Sequence, residues 1–215
     1  MTQPALDHEM TELERLMWEV YGYVRDGGAR IYEGGASVEE ATYLRDLTVS
    51  AKAVRVAEIG FNVGFSSIAF LSAAPEVEVV SFELDQRPAV ELAKRFVDER
   101  YPDRHEIIIG NSVDTVPAYA ESHKVPFDLV FVDGGHEYDT ARADIANARR
   151  IAKPGALIVV DDVIPWYSWG VGPHQAWREA LASGLIEPVE SVVDGLVVDV
   201  IEEPGDRAWV TGRFR

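Results

Sequence analysis

Three aspartates follow two short apolar runs in the middle of the chain. Asp133 comes directly after Leu129–Val132, and Asp161 and Asp162 come directly after Leu157–Val160. Short runs of apolar and β-branched residues are typical of strands that are buried on both faces of a parallel sheet. Ligands bind at the carboxyl ends of such strands, so we expect the three acids to converge on one crevice. The alternative is that they cap the following helix or turn, a common role of aspartate.

A glycine-containing loop forms a second candidate site, in the sequence V-A-E-I-G-F-N-V-G-F-S-S. Gly60 and Gly64 follow a predicted strand and precede a predicted helix, where glycines let a nucleotide approach the backbone. Their G-x-x-x-G spacing differs from the G-x-G-x-x-G spacing of dinucleotide-binding folds. Glu58 would repel a pyrophosphate and attract a cationic group, such as the ammonium or sulfonium of S-adenosylmethionine. An ordinary glycine turn beside a surface glutamate is the alternative.

Polar residues also end the next two predicted strands. Glu83, in S-F-E-L-D, lies 23 positions after Gly60, where a carboxylate can accept two hydrogen bonds from a ribose diol. A ribose occurs in both NAD and S-adenosylmethionine, so Glu83 does not distinguish the two cofactors. We expect Asp85 to cap the next helix. Asn111 and Ser112 would lie beside an adenine, although helix capping explains Ser112 equally well.

The elements that position these residues alternate regularly. Strands are predicted at residues 54–59, 77–82, 106–109, 127–132 and 156–160, and helices at 66–73, 87–100, 113–122 and 138–151. Repeated strand–helix units predict right-handed crossovers and a parallel sheet with helices on both faces. A helix at 175–183 then precedes strands at 189–193, 196–201 and 208–214. Tight turns join these late strands, so they must pair antiparallel.

The N-terminal region has a different pattern. Apolar residues at three- and four-residue steps predict an amphipathic helix over residues 6–25, which the Gly27–Gly28 pair ends. Gly34–Gly35 forms a second loop, and Ser37 with Glu40 predicts a capping box that opens a helix to about residue 51. We divide the chain into an N-terminal helical segment, 1–36, and a main domain, 37–215. The segment is expected to cover a site or contact a second subunit, with plain packing as the alternative.

Composition excludes several classes of protein. The chain has 215 residues, 37 acids against 20 bases, and a formal net charge of −17. Without a dense basic run it is not expected to bind nucleic acid. No apolar run approaches the roughly 20 residues of a membrane span. The absence of cysteine excludes disulfides and thiolate zinc sites, and an acidic start without signal-peptide features favours a cytoplasmic protein.

Four motifs together carry a family resemblance: A-E-I-G-F-N-V-G-F-S, S-F-E-L-D, F-D-L-V-F-V-D-G-G-H and P-G-A-L-I-V-V-D-D-V. Over about residues 37–214 the chain resembles the class I S-adenosylmethionine-dependent methyltransferases. Within that class it is similar to the divalent-metal-dependent O-methyltransferases, which include catechol, caffeoyl-coenzyme A and macrolide-sugar enzymes. The resemblance implies an α/β, Rossmann-like, doubly wound fold for 37–215. It implies a seven-stranded, mostly parallel sheet in which the last strand is inserted antiparallel.

The resemblance also implies a cofactor site and a metal site. Glu58, Gly60 and Ser66 would lie near the methionine moiety and Glu83 on the ribose. The full set of expected cofactor residues is Glu58, Gly60, Phe61, Asn62, Gly64, Ser66, Glu83, Asn111, Ser112 and Asp133. Asp133, Asp161 and Asp162 would hold a divalent cation, and three oxygen ligands suit Mg²⁺. The Asp-Asp pair is that of the macrolide-sugar branch, where the catechol-type enzymes have Asp-Asn.

His136 stands where these enzymes usually carry a basic lysine, three residues after the strand-end aspartate. Methyl transfer to a hydroxyl requires loss of its proton, which a neutral imidazole accepts near pH 7. We expect His136 to be the general base, with Asp133 or a metal-bound group as the alternative. A loop histidine bonded to backbone is the explanation without catalysis.

The segment I-P-W-Y-S-W-G-V-G-P-H supplies candidate contacts to a small hydroxylated acceptor: Trp166, Tyr167, Trp169 and His174. The alternatives are that the aromatic residues pack as core or lid, and that G-P-H is a turn that enters a helix. A homodimer or another homo-oligomer is expected.

The leading hypothesis is therefore Mg²⁺-dependent O-methylation of a sugar or phenolic natural product. Metal-independent N- or C-methylation and a non-catalytic nucleotide-binding protein are the alternatives. An NAD-dependent oxidoreductase is disfavoured by the glycine spacing and by Glu58.

Overall fold

The computed structural model describes residues 10–31, 35–123 and 125–215. Within these ranges it contains seven helices: α1 (Glu12–Asp26), α2 (Val38–Ala51), α3 (Phe65–Ala73), α4 (Pro88–Arg100), α5 (Ser112–Ser122), α6 (Tyr138–Ile151) and α7 (Val171–Ala182). The eight strands are β1 (Arg55–Ile59), β2 (Glu78–Glu83), β3 (His105–Ile109), β4 (Phe127–Val132), β5 (Ala152–Val160), β6 (Ile186–Val193), β7 (Leu196–Val198) and β8 (Ala208–Phe214).

All eight strands form one sheet in the order β3-β2-β1-β4-β5-β8-β6-β7. The first five strands pair in parallel, and β8 is inserted antiparallel between β5 and β6. The Rossmann-like fold and the antiparallel insertion are confirmed, but the sheet has eight strands rather than seven. The additional strand, β7, pairs with β6 through a turn in which Asp194 and Gly195 have φ angles of 48° and 78°. Two successive positive φ angles match the twist of a two-residue hairpin.

Helices cover both faces of the sheet because successive side chains of a strand point to opposite faces. In β4, Leu129 and Phe131 join a core that includes residues of α1, α2, α3 and α4. Val130 and Val132 join a second core with residues of α5, α6 and α7. The central strands are therefore apolar on both faces, which explains their uninterrupted apolar sequences.

Helix α1 packs in the first of these cores. Leu13, Met17 and Val20 are buried in it, and Thr11 caps the helix by accepting the Glu14 backbone N–H at 3.2 Å. The predicted helix thus exists, although it begins at Glu12 and residue 6 lies outside the described residues. Its predicted role in covering a site or contacting a second subunit stays a prediction.

Several predicted boundaries differ from the structure at helix starts. Ser37 caps α2 as predicted, accepting the Glu40 N–H at 3.1 Å. The prediction that Asp85 caps α4 is wrong, because Arg87 is the N-cap and Pro88 is the first helical residue. A proline fits there because the first turn needs no N–H donor, which also explains how α7 begins at Val171 with Pro173 in its first turn.

Asp128 anchors the amino edge of the parallel sheet, opposite the crevice. Its carboxylate accepts the backbone N–H groups of Val54 and Arg55 at 3.0 and 2.9 Å and pairs with Lys153 at 2.5 Å. Burial raises the pKa of Asp128, but the hydrogen bonds from Lys153, Arg55 and Val54 outweigh it and leave the pKa below its usual value. One side chain thereby joins β1, β4 and β5.

No helix in the described part of the chain is long and apolar enough to cross a membrane.

We predict that Asp128→Asn destabilises the protein at pH 7 by about 1–2 kcal/mol, because the charge-assisted bond to Lys153 is lost. An acid with a lowered pKa stabilises the fold above its unfolded-state pKa, and this stabilisation is lost on acidification. Denaturant unfolding at pH 7 and pH 3.5 measures both effects. The stability gap between the wild type and the variant should narrow at pH 3.5. A gap that is equal at both pH values would contradict this role.

Candidate functional site

A cavity of about 750 Å³ lies at the carboxyl ends of the parallel strands. Its described lining combines residues that follow five strands, a segment before α2 and two residues before β8. The predicted residues in this lining are Gly60, Phe61, Asn62, Ser66, Glu83, Asn111, Ser112, Asp133, His136, Asp161, Asp162 and Trp169. The structure therefore brings most of the residues selected from the sequence to one place.

The strand ends meet because their hydrogen-bond ladders continue one residue beyond each strand. Asp133 N–H donates to the Ile59 carbonyl at 2.9 Å, and Asp161 N–H donates to the Val132 carbonyl at 3.0 Å. Gly60 has a φ of +98°, and a β carbon there would lie 2.0 Å from the Asp133 carbonyl oxygen. Only glycine permits this close approach of the two loops.

Glu83 organises one end of the cavity. Its Oε2 accepts the backbone N–H groups of Phe61 and Asn62 at 3.2 and 2.9 Å, and its Oε1 accepts the Asp85 N–H at 3.2 Å. The Arg87 guanidinium lies 3.8 Å from the same carboxylate. A carboxylate has about four acceptor sites, so the three backbone donors leave Glu83 about one site for a ribose hydroxyl while it holds the glycine loop in place.

Asn111 and Ser112 form the adjacent wall. Asn111 caps α5 by accepting the Val113 N–H at 3.1 Å, so the capping role expected for Ser112 belongs to Asn111. Both residues line the cavity, as does Leu84, whose side chain is 63% exposed at the end of β2.

Glu58 and Gly64 are absent from the described lining of the cavity. Glu58 has no exposed surface and accepts hydrogen bonds from Ser67 and Ser81. Burial raises its pKa to about 7. The carboxyl group therefore lies behind the cavity wall rather than on its surface.

The other end of the cavity contains the predicted metal and base residues. One ligand atom from each of Asp133, His136 and Asp162 lies within 4.8 Å of the others. The His136 Nε2 and Asp162 Oδ2 atoms are 2.8 Å apart. Asp162 has a φ of +55°, uncommon for a residue with a side chain and frequent at functional sites.

Asp161 occupies a different environment from Asp162. It is buried, and its charge interacts with that of Glu40 in α2. Glu40 has no exposed surface, and its Oε2 lies 3.5 Å from Nη1 of Arg207. Arg207 also donates to the Gly35 carbonyl at 3.2 Å. Asp161 thus interacts both with the other strand-end acids and with the acid of the Arg207–Glu40 ion pair, which was not predicted from the sequence.

These carboxyl groups repel one another. Burial, followed by the charges of Glu40 and Asp162, raises the pKa of Asp133 well above its usual value. Burial, followed by the charges of Glu40 and Asp133, does the same to the pKa of Asp161. Burial also raises the pKa of Glu40 to about 7, against the lowering effect of Arg207. Oxygen ligands at this density could hold a divalent cation, which would compensate their charge.

Helix α7 fixes the backbone of His136. A β carbon at Gly172 would lie 2.2 Å from the His136 carbonyl oxygen and 2.8 Å from the Tyr138 nitrogen. The helix can approach only because residue 172 is glycine. This contact places the imidazole, which is 43% exposed, at the cavity wall.

The aromatic segment contributes one lining residue of the four predicted there. Trp169 lines the cavity and stacks on Tyr167, with ring centroids 4.5 Å apart. Trp166 donates to the Gly205 carbonyl at 2.9 Å, and Tyr167 donates to Asp206 Oδ1 at 3.0 Å. Trp166, Tyr167 and His174 are outside the described lining, so the first two act as supports for the loop that carries Asp206.

Comparison with known proteins agrees with this geometry. A family model described as a methyltransferase domain matches residues 57–163. A catechol O-methyltransferase of Mycobacterium tuberculosis is 32% identical over 174 residues, which cover 80% of this chain and 76% of that protein. The chain belongs to the class I S-adenosylmethionine-dependent O-methyltransferases.

Solved structures share the fold of this O-methyltransferase. Cofactor-bound Rv0187 from MTB superimposes with a TM-score of 0.79 at 23% identity, covering 100% of this chain and 99% of that one. TomG from Streptomyces achromogenes, in complex with S-adenosylmethionine, has a TM-score of 0.74 at 21% identity, with 98% and 93% covered. The expectation of an enzyme rather than a non-catalytic binding protein is confirmed.

Sequence reasoning missed several residues of the O-methyltransferase site. Glu40 was interpreted only as part of a capping box, but its carboxylate also lies 3.5 Å from Arg207 and interacts through its charge with Asp161. Arg207 and Asp206 precede β8, and no local pattern marks them as cavity residues. The close spacing of Gly170 and Gly172 was a usable signal, since glycines at a helix start indicate close backbone contact.

We predict that Asp161→Asn stabilises the O-methyltransferase when divalent cations are chelated at pH 8. The variant removes one of several repelling charges and gives Glu40 an N–H donor. An acid with a raised pKa costs the fold stability as the pH rises, so the gain should grow from pH 5 to pH 8. Thermal unfolding should show a midpoint higher by roughly 2–4 °C at pH 8, equivalent to about 1 kcal/mol.

Asp128→Asn is the matched control, because the same change at the Lys153-paired aspartate should lower the midpoint. A lower midpoint for Asp161→Asn would show that Asp161 is not under electrostatic strain.

Proposed function

We propose that this enzyme methylates a hydroxyl group of a small molecule, a phenolic or sugar natural product, with the aid of Mg²⁺. The observation that carries the proposal is the convergence of Asp133, His136 and Asp162, whose ligand atoms lie within 4.8 Å of one another at the cavity wall. Asp161 supplies a further buried carboxylate behind them.

The residues present fit a divalent cation. Four carboxyl groups, those of Glu40, Asp133, Asp161 and Asp162, interact through their charges, and Arg207 compensates Glu40 at 3.5 Å. Glu40 Oε1 is a buried oxygen without a hydrogen-bond partner among the described residues. Buried charge without compensation is costly, and hard oxygen ligands prefer Mg²⁺ or Ca²⁺. We propose Asp133, Asp161 and Asp162 as the ligand set.

A divalent cation bound here would lower the pKa of the acceptor hydroxyl and neutralise the acids. The protein residues direct the proton. His136 Nε2 lies 2.8 Å from Asp162 Oδ2, which orients the imidazole that would accept the proton of the acceptor hydroxyl. The hydroxyl oxygen forms a bond to the methyl carbon as the carbon–sulfur bond breaks, and S-adenosylhomocysteine leaves.

Trp169 supports an acceptor with a flat or ring-shaped apolar face. It is 44% exposed at the cavity and is braced by the parallel ring of Tyr167. A braced indole offers a preformed stacking surface at little entropic cost. The catechol O-methyltransferase of M. tuberculosis is named for a phenolic acceptor, and TomG for tomaymycin synthesis, so phenols are the first acceptors to assay.

Chelation should abolish methyl transfer to a phenolic acceptor, and added Mg²⁺ should restore it. Asp162→Ala should lower kcat/KM by at least about 100-fold, since several kcal/mol of charge stabilisation are lost. Methyl transfer from labelled S-adenosylmethionine to a panel of catechols and sugars measures both. Asp128→Ala, the same change at an aspartate outside the described cavity lining, serves as the control. Full activity in excess chelator would exclude the metal and favour the metal-independent alternative.

His136→Ala should lower kcat about 100-fold or more while the Mg²⁺ and S-adenosylhomocysteine affinities stay unchanged, because a general base acts only in the chemical step. Calorimetry and steady-state kinetics separate these quantities. His123→Ala is the control, since His123 is exposed at the end of α5 and stacks on Tyr119. A parallel loss of Mg²⁺ affinity would make His136 a metal ligand instead.

A further inference from the structure

A buried polar chain crosses the sheet next to the cofactor end of the cavity. Glu58 of β1 accepts hydrogen bonds at Oε1 from Ser67 of α3 and, at 2.5 Å, from Ser81 of β2. Ser81 Oγ lies 2.7 Å from Nε2 of His105 in β3. Glu58, Ser67 and Ser81 have no exposed surface. The chain lies beside an apolar core that includes Val56, Phe61 and Val79.

The hydrogen bonds of this chain all point toward Glu58. Ser81 has one hydroxyl proton, and donating it to Glu58 leaves its oxygen to accept from His105 Nε2–H. Burial, and then the charge of Lys94, lowers the pKa of His105 to about 3, so the imidazole is neutral. Phe61 stacks on this ring with centroids 5.1 Å apart and also lines the cavity. The loop after β1 therefore packs directly against the His105 ring.

Ser66 brings the Glu58 carboxyl within electrostatic reach of the cavity. Oε2 is buried and has no hydrogen-bond partner of adequate geometry among the described residues. Ser66 lies near enough to act on the Glu58 carboxyl and lines the cavity. A positive charge that enters the cavity would thus act on a buried carboxyl through one serine.

The other charges that face Glu58 are few. Glu83 of β2 raises its pKa, and Asp133 after β4 interacts with it electrostatically. Three serine hydroxyls lower the pKa, but burial outweighs them and raises it to about 7. Two cations lie near these residues. Arg87 pairs with Glu83 at 3.8 Å, and Lys94 pairs with Asp98 at 2.5 Å. Near pH 7 the Glu58 carboxyl is therefore present in both its protonated and its ionised form.

We propose that the chain of His105, Ser81 and Glu58 couples binding of the cationic cofactor to release of one proton. In the cofactor-free protein the Glu58 carboxyl carries a proton. On binding, Glu58 gives this proton to solvent, and the resulting carboxylate is held by the hydroxyls of Ser67 and Ser81 while it balances the positive charge of S-adenosylmethionine. Ser81 and His105 are positioning residues, since they act through Glu58.

The affinity for S-adenosylmethionine should depend on pH. Protons compete with the cofactor, so affinity should rise with pH up to the pKa of the free carboxyl and then level off. For a free-state pKa of about 7, the affinity at pH 6 should be about tenfold weaker than at pH 8. The proposal rests on S-adenosylmethionine as the cofactor, and requires neither the metal nor an assigned acceptor.

The test is isothermal titration calorimetry of the full chain with S-adenosylmethionine, in pairs of buffers that differ in ionisation enthalpy, with chelator and without acceptor. The wild type should release close to one proton at pH 6 and almost none above pH 8. Glu58→Gln, which keeps the shape and cannot ionise, should release none at pH 6 beyond the contribution of other acids. A wild type that releases no proton at pH 6, or a Glu58→Gln variant that releases as many, would overturn the proposal.

Ser81→Ala tests the chain independently of Glu58→Gln. Removing a donor to the carboxylate should move the midpoint of proton release upward by about one pH unit. Ser72→Ala on α3 is the matched control, since that hydroxyl donates only to the Ala69 carbonyl of its own helix at 2.9 Å, and its midpoint should not move. An unchanged midpoint in Ser81→Ala would exclude Ser81 from the coupling. Acceptor methylation is not measured, so failure of the proposed metal chemistry leaves this result unaffected.

Discussion

Like charge concentrated at the carboxyl edge of the sheet is the constraint around which this structure is arranged. Glu40, Asp133, Asp161 and Asp162 interact through their charges in a partly enclosed space, where the repulsion is weakly screened. A fold tolerates such a group only if rigid elements hold it. Here the ladder bonds of Asp133 and Asp161, and the ion pair of Arg207 with Glu40, supply that rigidity.

The cofactor end follows a related rule with a different result. Glu83 uses its carboxylate to fix the loop after β1, and Glu58 lies behind the cavity wall with its hydroxyl partners. Glu83 accepts three backbone N–H groups, whereas burial raises the pKa of Glu58 to about 7. Two carboxyl groups of similar sequence context thus serve as a fixed anchor and an adjustable charge.

Much of the fold could be predicted from sequence because its signals are local. The β4 strand and helix α6 were predicted with their observed bounds, since an apolar run and a helical period each repeat over adjacent residues. The acids that follow these strands were found because parallel strands align their carboxyl ends. That rule selected Asp133, Asp161 and Asp162, and the family resemblance implied the same three residues.

The remaining features depend on contacts between distant segments. Glu40 and Arg207 are 167 residues apart, and neither stands in a motif that reveals the other. The direction of Asp162 depends on a positive φ that no local pattern requires of aspartate. Glu58 lies behind the cavity wall because its partners Ser67 of α3 and Ser81 of β2 are buried, and these belong to different elements. Sequence patterns identify which residues reach the site, and packing decides which surface each one presents.

The insertion of β8 between β5 and β6 has a consequence for synthesis on the ribosome. Until residues 208–214 have left the exit tunnel, the nascent chain carries β5 and β6 with open edges, and Glu40 lacks the guanidinium that compensates it. The edges of β5 and β6 stay unpaired until β8 is present, so the sheet cannot be completed before then. The O-methyltransferase site is therefore completed only after the arginine that precedes β8 becomes available.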